Sequence, residues 1–491
     1  MDEGVPDAGT PSTCARHGPW SCQNGTMTVP DPDQQRAGEP LRVAVIGSGP
    51  AGIYAADALI RQSRVPVRVD VMDRLPTPYG LVRYGVAPDH TKIKGVARAL
   101  RKVLEHPHVR FVGGVEFGAA LTRAHLARTH HAVVYATGAS VDRRLGVPGE
   151  DLPGSVAATD FVNWYCGHPD SELERFVLGA EEVAVVGAGN VALDVARILV
   201  KTADELRHTD IPQPVLEALA ASSVRVVHLL ARRGPLQAKF TAPELRDLLA
   251  LPDVDVVVSA EQVDIDPADV GGPAPEVHQV ARAARTNLRL LSDQARRAPR
   301  GCARSVRLHF WVRPEEILGT DRVTGVRLEH TRLDPDGHLA GTGQTTLLDV
   351  GMVLRSVGYA GVPLPGVPFD PVERTVPQEA GRVLDTAGRP VPGDYVAGWI
   401  KRGATGVIGT NKSDAAGTVR SLLDDAPTLR SGAPDLVPLE ALLDELGIGH
   451  SGYGDWLRID SAEAEQAERL DRGERVKLHG WGAYREVIEG G

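Results

Sequence analysis

Two short glycine loops carry the most specific chemistry in this chain. Gly47-Ser48-Gly49-Pro50-Ala51-Gly52 follows an apolar run and opens a helical pattern. In a strand–loop–helix turn of this kind, Gly47 permits the tight turn and Gly49 lets backbone amides approach a pyrophosphate. Gly52 lets the helix pack closely on the strand, and the phosphates sit at the helix's positive end. Asp73 ends the next strand, 21 residues after Gly52. A carboxylate there accepts hydrogen bonds from both hydroxyls of an adenosine ribose and repels a 2′-phosphate, so this first site suits FAD or NAD. The second loop is Gly187-Ala188-Gly189-Asn190-Val191-Ala192, with Ala192 at the third glycine position, a permitted variant. The strand after it ends not in an acid but in Arg232 and Arg233. Guanidinium forks match phosphate geometry and stay charged at every relevant pH, so the second site suits NADP.

Two further segments point to a flavin. Ala136-Thr137-Gly138 closes a buried apolar run. Asp394-Tyr395-Val396-Ala397-Gly398-Trp399 leads into Gly403–Asn411, a loop of small residues ahead of a helix. Backbone amides in that loop can reach the isoalloxazine O2 and N1, and the helix dipole favours a reduced, anionic flavin. Trp399, beside the loop, reads as a cofactor contact.

The elements that must hold these loops are legible from periodicity. Leu41–Ile46, Val67–Met72 and Ala132–Ala136 read as buried strands, with helices at Ala51–Arg61 and Ile93–Glu105. The arrangement then restarts, with strands at Val183–Val186 and Val224–Leu230 around a helix at Val191–Lys201. Such alternation implies parallel sheets with right-handed crossovers. Two starts about 140 residues apart mean two nucleotide-binding units rather than a solenoid. Val306–Val353 is strand-rich, Lys412–Leu423 is helical, and residues 425–491 are mixed and acidic, with helices near 438–446 and 460–471. Residues 1–38 show no period and read as a disordered extension, within which Met27 is a second candidate start. Cys14, His17 and Cys22 lie there with no fourth ligand near and no common zinc spacing.

Composition narrows the class. At 491 residues, the chain is too long for one hydrophobic core and suits two or three domains. A net charge of −10 excludes a general nucleic-acid binder. The apolar runs are too short to span a bilayer, and the acidic N-terminus has no apolar segment of a signal peptide. Four scattered cysteines form neither a disulfide framework nor a Cys-x-x-Cys. The expected compartment is the cytoplasm.

Several stretches resemble the adrenodoxin-reductase family, which includes the actinobacterial NADPH–ferredoxin reductases. They are Pro76–Arg83, Gly85–His90, Gly189–Arg197, Arg232–Gln237 and Gly398–Gly403, and the likeness runs from about residue 40 to the C-terminus. The resemblance implies an α/β fold of two Rossmann-like dinucleotide-binding domains, the NADP domain (residues 141–359) inserted in an FAD domain (residues 39–140 and 360–491) that ends in a helical extension. It implies FAD contacts at Ala51, Asp73, Leu81, Trp399 and Gly406, Val407 and Ile408. NADP contacts would come from Asn190, Val191, Ala192, Leu193, Arg232, Arg233, Glu244, Gly406 and, with less support from the pattern, Arg143. Asp89, His90 and Glu244 would lie near the nicotinamide, with Glu244 and His90 orienting it and handling a proton. Asp73 stands where the family usually has Glu, and Ala404 where Pro is common.

On this reading the flavin supplies the chemistry, taking a hydride from NADPH and releasing electrons singly, and no metal is required. The expected partner is an acidic ferredoxin. Nine arginines (Arg282, Arg285, Arg289, Arg296, Arg297, Arg300, Arg304, Arg307 and Arg313) face one acid, Asp293, in an otherwise acidic chain, and such a patch steers an acidic protein. The chain is expected to be a monomer or weak dimer. A glutamate-synthase-like electron-input subunit is the rival enzyme, but it usually carries cysteine clusters. A flavin redox sensor is the non-enzymatic rival, separated by turnover with an artificial acceptor.

Overall fold

The computed structural model describes residues 39–264, 275–432 and 435–490; side chains at 174 and 275–281 are not among them. The expectations for residues 1–38, including Cys14, His17 and Cys22, lie outside the described residues. The described residues form four sheets.

The first sheet has the order Gln378–Glu379, Arg382–Leu384, Pro390–Val396, Ala132–Tyr135, Leu41–Ile46, Val67–Met72, Val109–Gly113, Ser451–Gly452. Its five central strands run parallel, and the short outer strands are antiparallel. Leu41, Val43, Val45 and Ala44, Ile46 alternate between two apolar clusters, one on each face, which is why the run is continuously apolar. This sheet draws strands from both ends of the described chain.

Between those ends lies a second sheet, all parallel, in the order Ser155–Ala157, Met352–Arg355, Glu182–Val186, Val226–Ala231, Arg304–Phe310, Val254–Val258. One face packs helices. The other packs the antiparallel sheet Val312–Leu318, Gly325–Leu333, Leu339–Leu348 through Ala184, Val186, Leu230, Ile317, Val326 and Leu328. The chain passes between the two sheets at a ribbon in which Val141–Asp142 pairs antiparallel with Tyr359–Ala360. The two-sheet dinucleotide fold expected from the sequence is present. A single helix over Ile93–Glu105 is not: Gly95, a poor helix former, divides it into Thr91–Lys94 and Ala97–Leu104.

The two parts share a core. Leu75, Tyr84 and Ala87, from the segment after Val67–Met72, belong to the same buried cluster as Phe161, Trp164, Tyr165 and the helix Asn190–Val200.

Candidate functional site

Gly47 and Gly52 of the first loop, and Gly187 of the second, stand where no larger residue fits. Gly47 has φ +106°, and a Cβ there would lie 2.5 Å from the Ala136 carbonyl oxygen; a Cβ on Gly52 would lie 1.9 Å from the Gly47 oxygen. Gly49 starts the helix Pro50–Arg61, whose first turn carries no acid, leaving its free N–H groups to an anion. Gly80 faces it so closely that a Cβ on Gly80 would stand 2.9 Å from the Gly49 Cα. A Cβ on Gly398 would meet the Ala51 methyl at 2.5 Å, so the late segment around Trp399 is brought against the first loop. These close backbone approaches and the acid-free helix start fit a pyrophosphate.

Asp73 turns back onto the loop. Its Oδ2 accepts from the Ser48 N–H at 2.8 Å and the Ser48 hydroxyl at 2.6 Å, and its Oδ1 accepts from the Leu75 N–H at 3.0 Å. A carboxylate offers roughly four acceptor positions. In this arrangement the shorter acid therefore braces the loop and keeps one position for a ribose hydroxyl. Leu81 is half-buried at the start of the turn Leu81–Tyr84. Trp399 packs 5.5 Å from the Tyr359 ring, and its indole N–H donates to the Thr405 carbonyl at 3.1 Å. Past it, Gly406 has φ +80°, Val407 is 62% exposed and Ile408 is half-buried, ahead of the helix Thr410–Ser431, whose first turn carries no acid.

The second loop repeats the arrangement. Gly189 precedes the helix Asn190–Val200, again with no acid in its first turn, and open space surrounds the position of a Gly189 Cβ. Val191 is half-buried, while Ala192 and Leu193 are fully buried and seat the helix on its sheet. Asn190 Oδ1 accepts from the Thr241 N–H at 2.8 Å, and the Ala188 carbonyl accepts from the Lys239 N–H at 2.8 Å, so the segment after the arginines is strapped across the loop. Arg232 and Arg233 directly follow the strand Val226–Ala231. Their backbones are fixed: the Thr331 hydroxyl donates to the Arg232 carbonyl at 2.8 Å, and a Cβ on Gly234 would strike the Trp311 ring at 2.3 Å. Both side chains are exposed, and among the described residues neither guanidinium has a partner. Arg143 is exposed on the crossing ribbon, its N–H donating to the Gly358 carbonyl at 2.9 Å.

Asp89, His90 and Glu244 come together, although 154 positions separate the last two. Asp89 and His90 precede the turn Thr91–Lys94, whereas Glu244 lies in the helix Ala242–Leu249. His90 Nε2 lies 2.9 Å from Asp194 Oδ1 and 2.8 Å from Glu244 Oε2. Arg197 donates from Nε to Asp89 at 2.6 Å and from Nη2 to Asp89 at 3.0 Å and to Asp194 at 2.8 Å. Lys201 Nζ reaches Asp89 at 2.8 Å. Burial alone would discharge His90, but the Asp194 and Glu244 carboxylates at its Nε2 outweigh it and hold the ring's pKa at about 9. Burial likewise works against a charged Asp89, yet Arg197 and Lys201 hold it well below the usual carboxylate range. Three carboxylates thus face two permanent cations, and a protonated His90 makes the group neutral. His90, Glu244 and Asp247 also place ligand-type atoms within 4.8 Å of one another. Arg197 Nη2, 2.6 Å from His90 Nε2, opposes a metal ion there.

Sequence reasoning named Asp89, His90 and Glu244 but assigned no role to Asp194, Arg197 or Lys201. The signal was available: charges spaced by three and four along an otherwise apolar helix must be paired if that helix is buried. The arginine-rich stretch divides. Arg300 donates to the Leu251 and Pro252 carbonyls, Arg304 to those of Val200 and Lys201, and Arg313 pairs with Glu329. Arg282, Arg289, Arg296, Arg297 and Arg307 are exposed. No helix among the described residues is long and apolar enough to cross a membrane.

Known proteins resemble this chain over most of its length. The pattern of the pyridine nucleotide-disulphide oxidoreductases matches residues 41–288. The NADPH-ferredoxin reductase FprA of Mycobacterium tuberculosis is 43% identical over 403 residues, 80% of this chain and 86% of that protein. The mitochondrial NADPH:adrenodoxin oxidoreductase of Salvelinus fontinalis is 39% identical over 464 residues, 89% and 91% of the two chains. The structure of M. tuberculosis FprA in complex with NADPH superposes with a TM-score of 0.84 at 39% identity, covering 92% of this chain and all of that one. The chain belongs to the pyridine nucleotide-disulphide oxidoreductase family and, within it, to the adrenodoxin-reductase group.

Proposed function

We propose that this chain is an FAD-dependent oxidoreductase that passes electrons from NADPH to a ferredoxin. The observation that carries the reading is the pairing of two acid-free helix starts in one fold, the first loop backed by Asp73 and the second by the free forks of Arg232 and Arg233. Relatives 39–43% identical are named for NADPH and for ferredoxin or adrenodoxin. FAD, when bound, accepts a hydride equivalent and releases electrons one at a time. The chain's residues bind and orient. Gly47, Gly49, Ala51, Gly52, Asp73, Leu81, Trp399, Gly406, Val407 and Ile408 hold FAD. Asn190, Val191, Ala192, Leu193, Arg232 and Arg233 hold NADP, and Arg143 is a subsidiary contact. Glu244 and His90 orient the nicotinamide, and His90 retains a proton beside it through neutral pH. The FAD portion spans residues 39–140 and 360–491, and the NADP portion spans 141–359.

The test is spectroscopic. The purified protein should be yellow, with about one FAD per chain as a single adenosine-type site requires, and should bleach on addition of NADPH without air. Reduction of cytochrome c should then require an added ferredoxin. A colourless protein that FAD cannot reconstitute would overturn the flavin assignment; bleaching without electron transfer to any ferredoxin would overturn the partner.

A further inference from the structure

We propose that Arg197 is the positioning residue of the coenzyme site: its guanidinium ties the Asp89–His90 loop to the helix Asn190–Val200 and sets the charge that the His90 ring experiences. The inference deepens the reading of His90 and Glu244 above and rests on it.

Arg197 lies in the interior, with its side chain 2% exposed, on a helix whose other residues except Asn190 and Asp194 are apolar. A buried cation persists only when its partners offset its desolvation. Here the partners come from three elements. The fork grips Asp89 through two nitrogens, from the loop that precedes Thr91–Lys94. One nitrogen also reaches Asp194 on its own helix, and Nη1 stands 3.7 Å from Glu244 Oε2 on the helix Ala242–Leu249. That helix and the Arg197 helix belong to the second sheet's part of the fold, whereas Asp89 and His90 belong to the first. Arg197 therefore fixes the loop that carries His90 against the helix that opens at the second glycine loop. A lysine could supply the charge but not the two parallel bonds.

The charged groups facing His90 are Asp89 on its own loop, Asp194, Arg197 and Lys201 along one helix, and Glu244 and Asp247 on the next. Arg197 is the cation nearest the ring, at 2.6 Å. Without it, these carboxylates would face Lys201 and the imidazolium alone, and His90 would hold its proton more tightly.

The test is a titration of the His90 ring by NMR in the FAD-loaded protein with labelled histidine, the resonance assigned by its loss in H90Q. In R197Q the midpoint should rise by on the order of one pH unit, the scale of a removed neighbouring charge; a rise beyond the alkaline end of the titration counts as the same result. In R197K the midpoint should stay near that of the parent, while KM for NADPH rises because the fork is lost. If R197Q does not fold, the comparison is E244Q/R197Q, whose net charge equals the parent's, against E244Q, and the midpoint should be lower in the variant that keeps Arg197. An unchanged midpoint on losing Arg197 overturns the inference, whatever activity does. The role of His90 is judged separately: an unchanged rate of flavin reduction in H90Q would overturn that reading and leave the Arg197 result standing.

Discussion

Replacing Arg232 and Arg233 with alanine isolates coenzyme choice from folding. Both side chains are exposed and without partners among the described residues, and the backbone that carries them is held by Thr331 and by the packing of Gly234 on Trp311. The double variant should therefore keep the melting temperature of the parent. Its effect should fall on NADPH. Hydrogen bonds to charged groups contribute about 1.5–3 kcal/mol each. Exposure places these at the lower end, so two lost contacts amount to about 3 kcal/mol, or a loss on the order of 10²-fold in kcat/KM. NADH lacks the 2′-phosphate, so its kcat/KM should change little. The assay is anaerobic flavin reduction, or steady-state ferricyanide reduction, with each coenzyme in turn. Equal losses with NADPH and NADH would refute the argument, because they would place the arginines in the fold rather than at the phosphate.

Three further outcomes follow from the geometry. D73A should weaken FAD binding by about 10–100-fold, the value of one charged acceptor, read by titrating apoprotein with FAD; unchanged affinity would mean that the carboxylate serves only Ser48 and Leu75. His90 has a pKa of about 9 in the folded chain against 6.5 ordinarily, so its stabilising contribution is complete below 6.5 and is lost as pH rises through about 9. The melting-temperature difference between the parent and H90Q should shrink across that window, and a difference that grows with pH would contradict the assignment. R296E/R297E should raise KM for ferredoxin, with a salt dependence set by a screening length of about 8 Å at 0.15 M, and leave ferricyanide reduction unchanged; if neither moves, ferredoxin docks elsewhere.

What could be read from the sequence was whatever is local. The loops at Gly47 and Gly187 announce themselves because a strand, a turn and a helix lie within a dozen residues, and Arg232 and Arg233 because a strand end can be counted from an apolar run. The union of His90 with Glu244 depends on two sheets packing together, and no period records that. Family likeness supplied those names, yet it left Arg197 as one letter in a matching stretch. The arginine-rich region shows the limit of counting charge. Arg304 donates to the last carbonyls of the helix Asn190–Val200, where a cation complements the helix dipole, and Arg300 closes a turn. In a composition they weigh the same as Arg297, which faces solvent.

The shared core changes what kind of device this fold can be. Domains joined by small polar interfaces are expected to move against one another. Here Leu75, Tyr84 and Ala87 sit in one apolar cluster with Phe161, Trp164 and Tyr165, and the described residues from Pro40 onward form one compact unit. Buried charges reinforce the junction. Lys477 Nζ donates to the carbonyls of Cys166, at 3.0 Å, and Arg83, and lies 3.3 Å from Asp210, which also binds Lys94. Breaking such a buried pair costs about 3–5 kcal/mol, so hinge opening at this point would forfeit a large part of the stability of an ordinary domain. On the proposed reading, this junction holds the two glycine loops at a separation that the fold sets. On that reading, orientation of the coenzyme falls to side chains at the junction, where the Asp89–Arg197–Asp194 clamp and the His90–Asp194 contact reach from the first part of the fold into the helix of the second glycine loop.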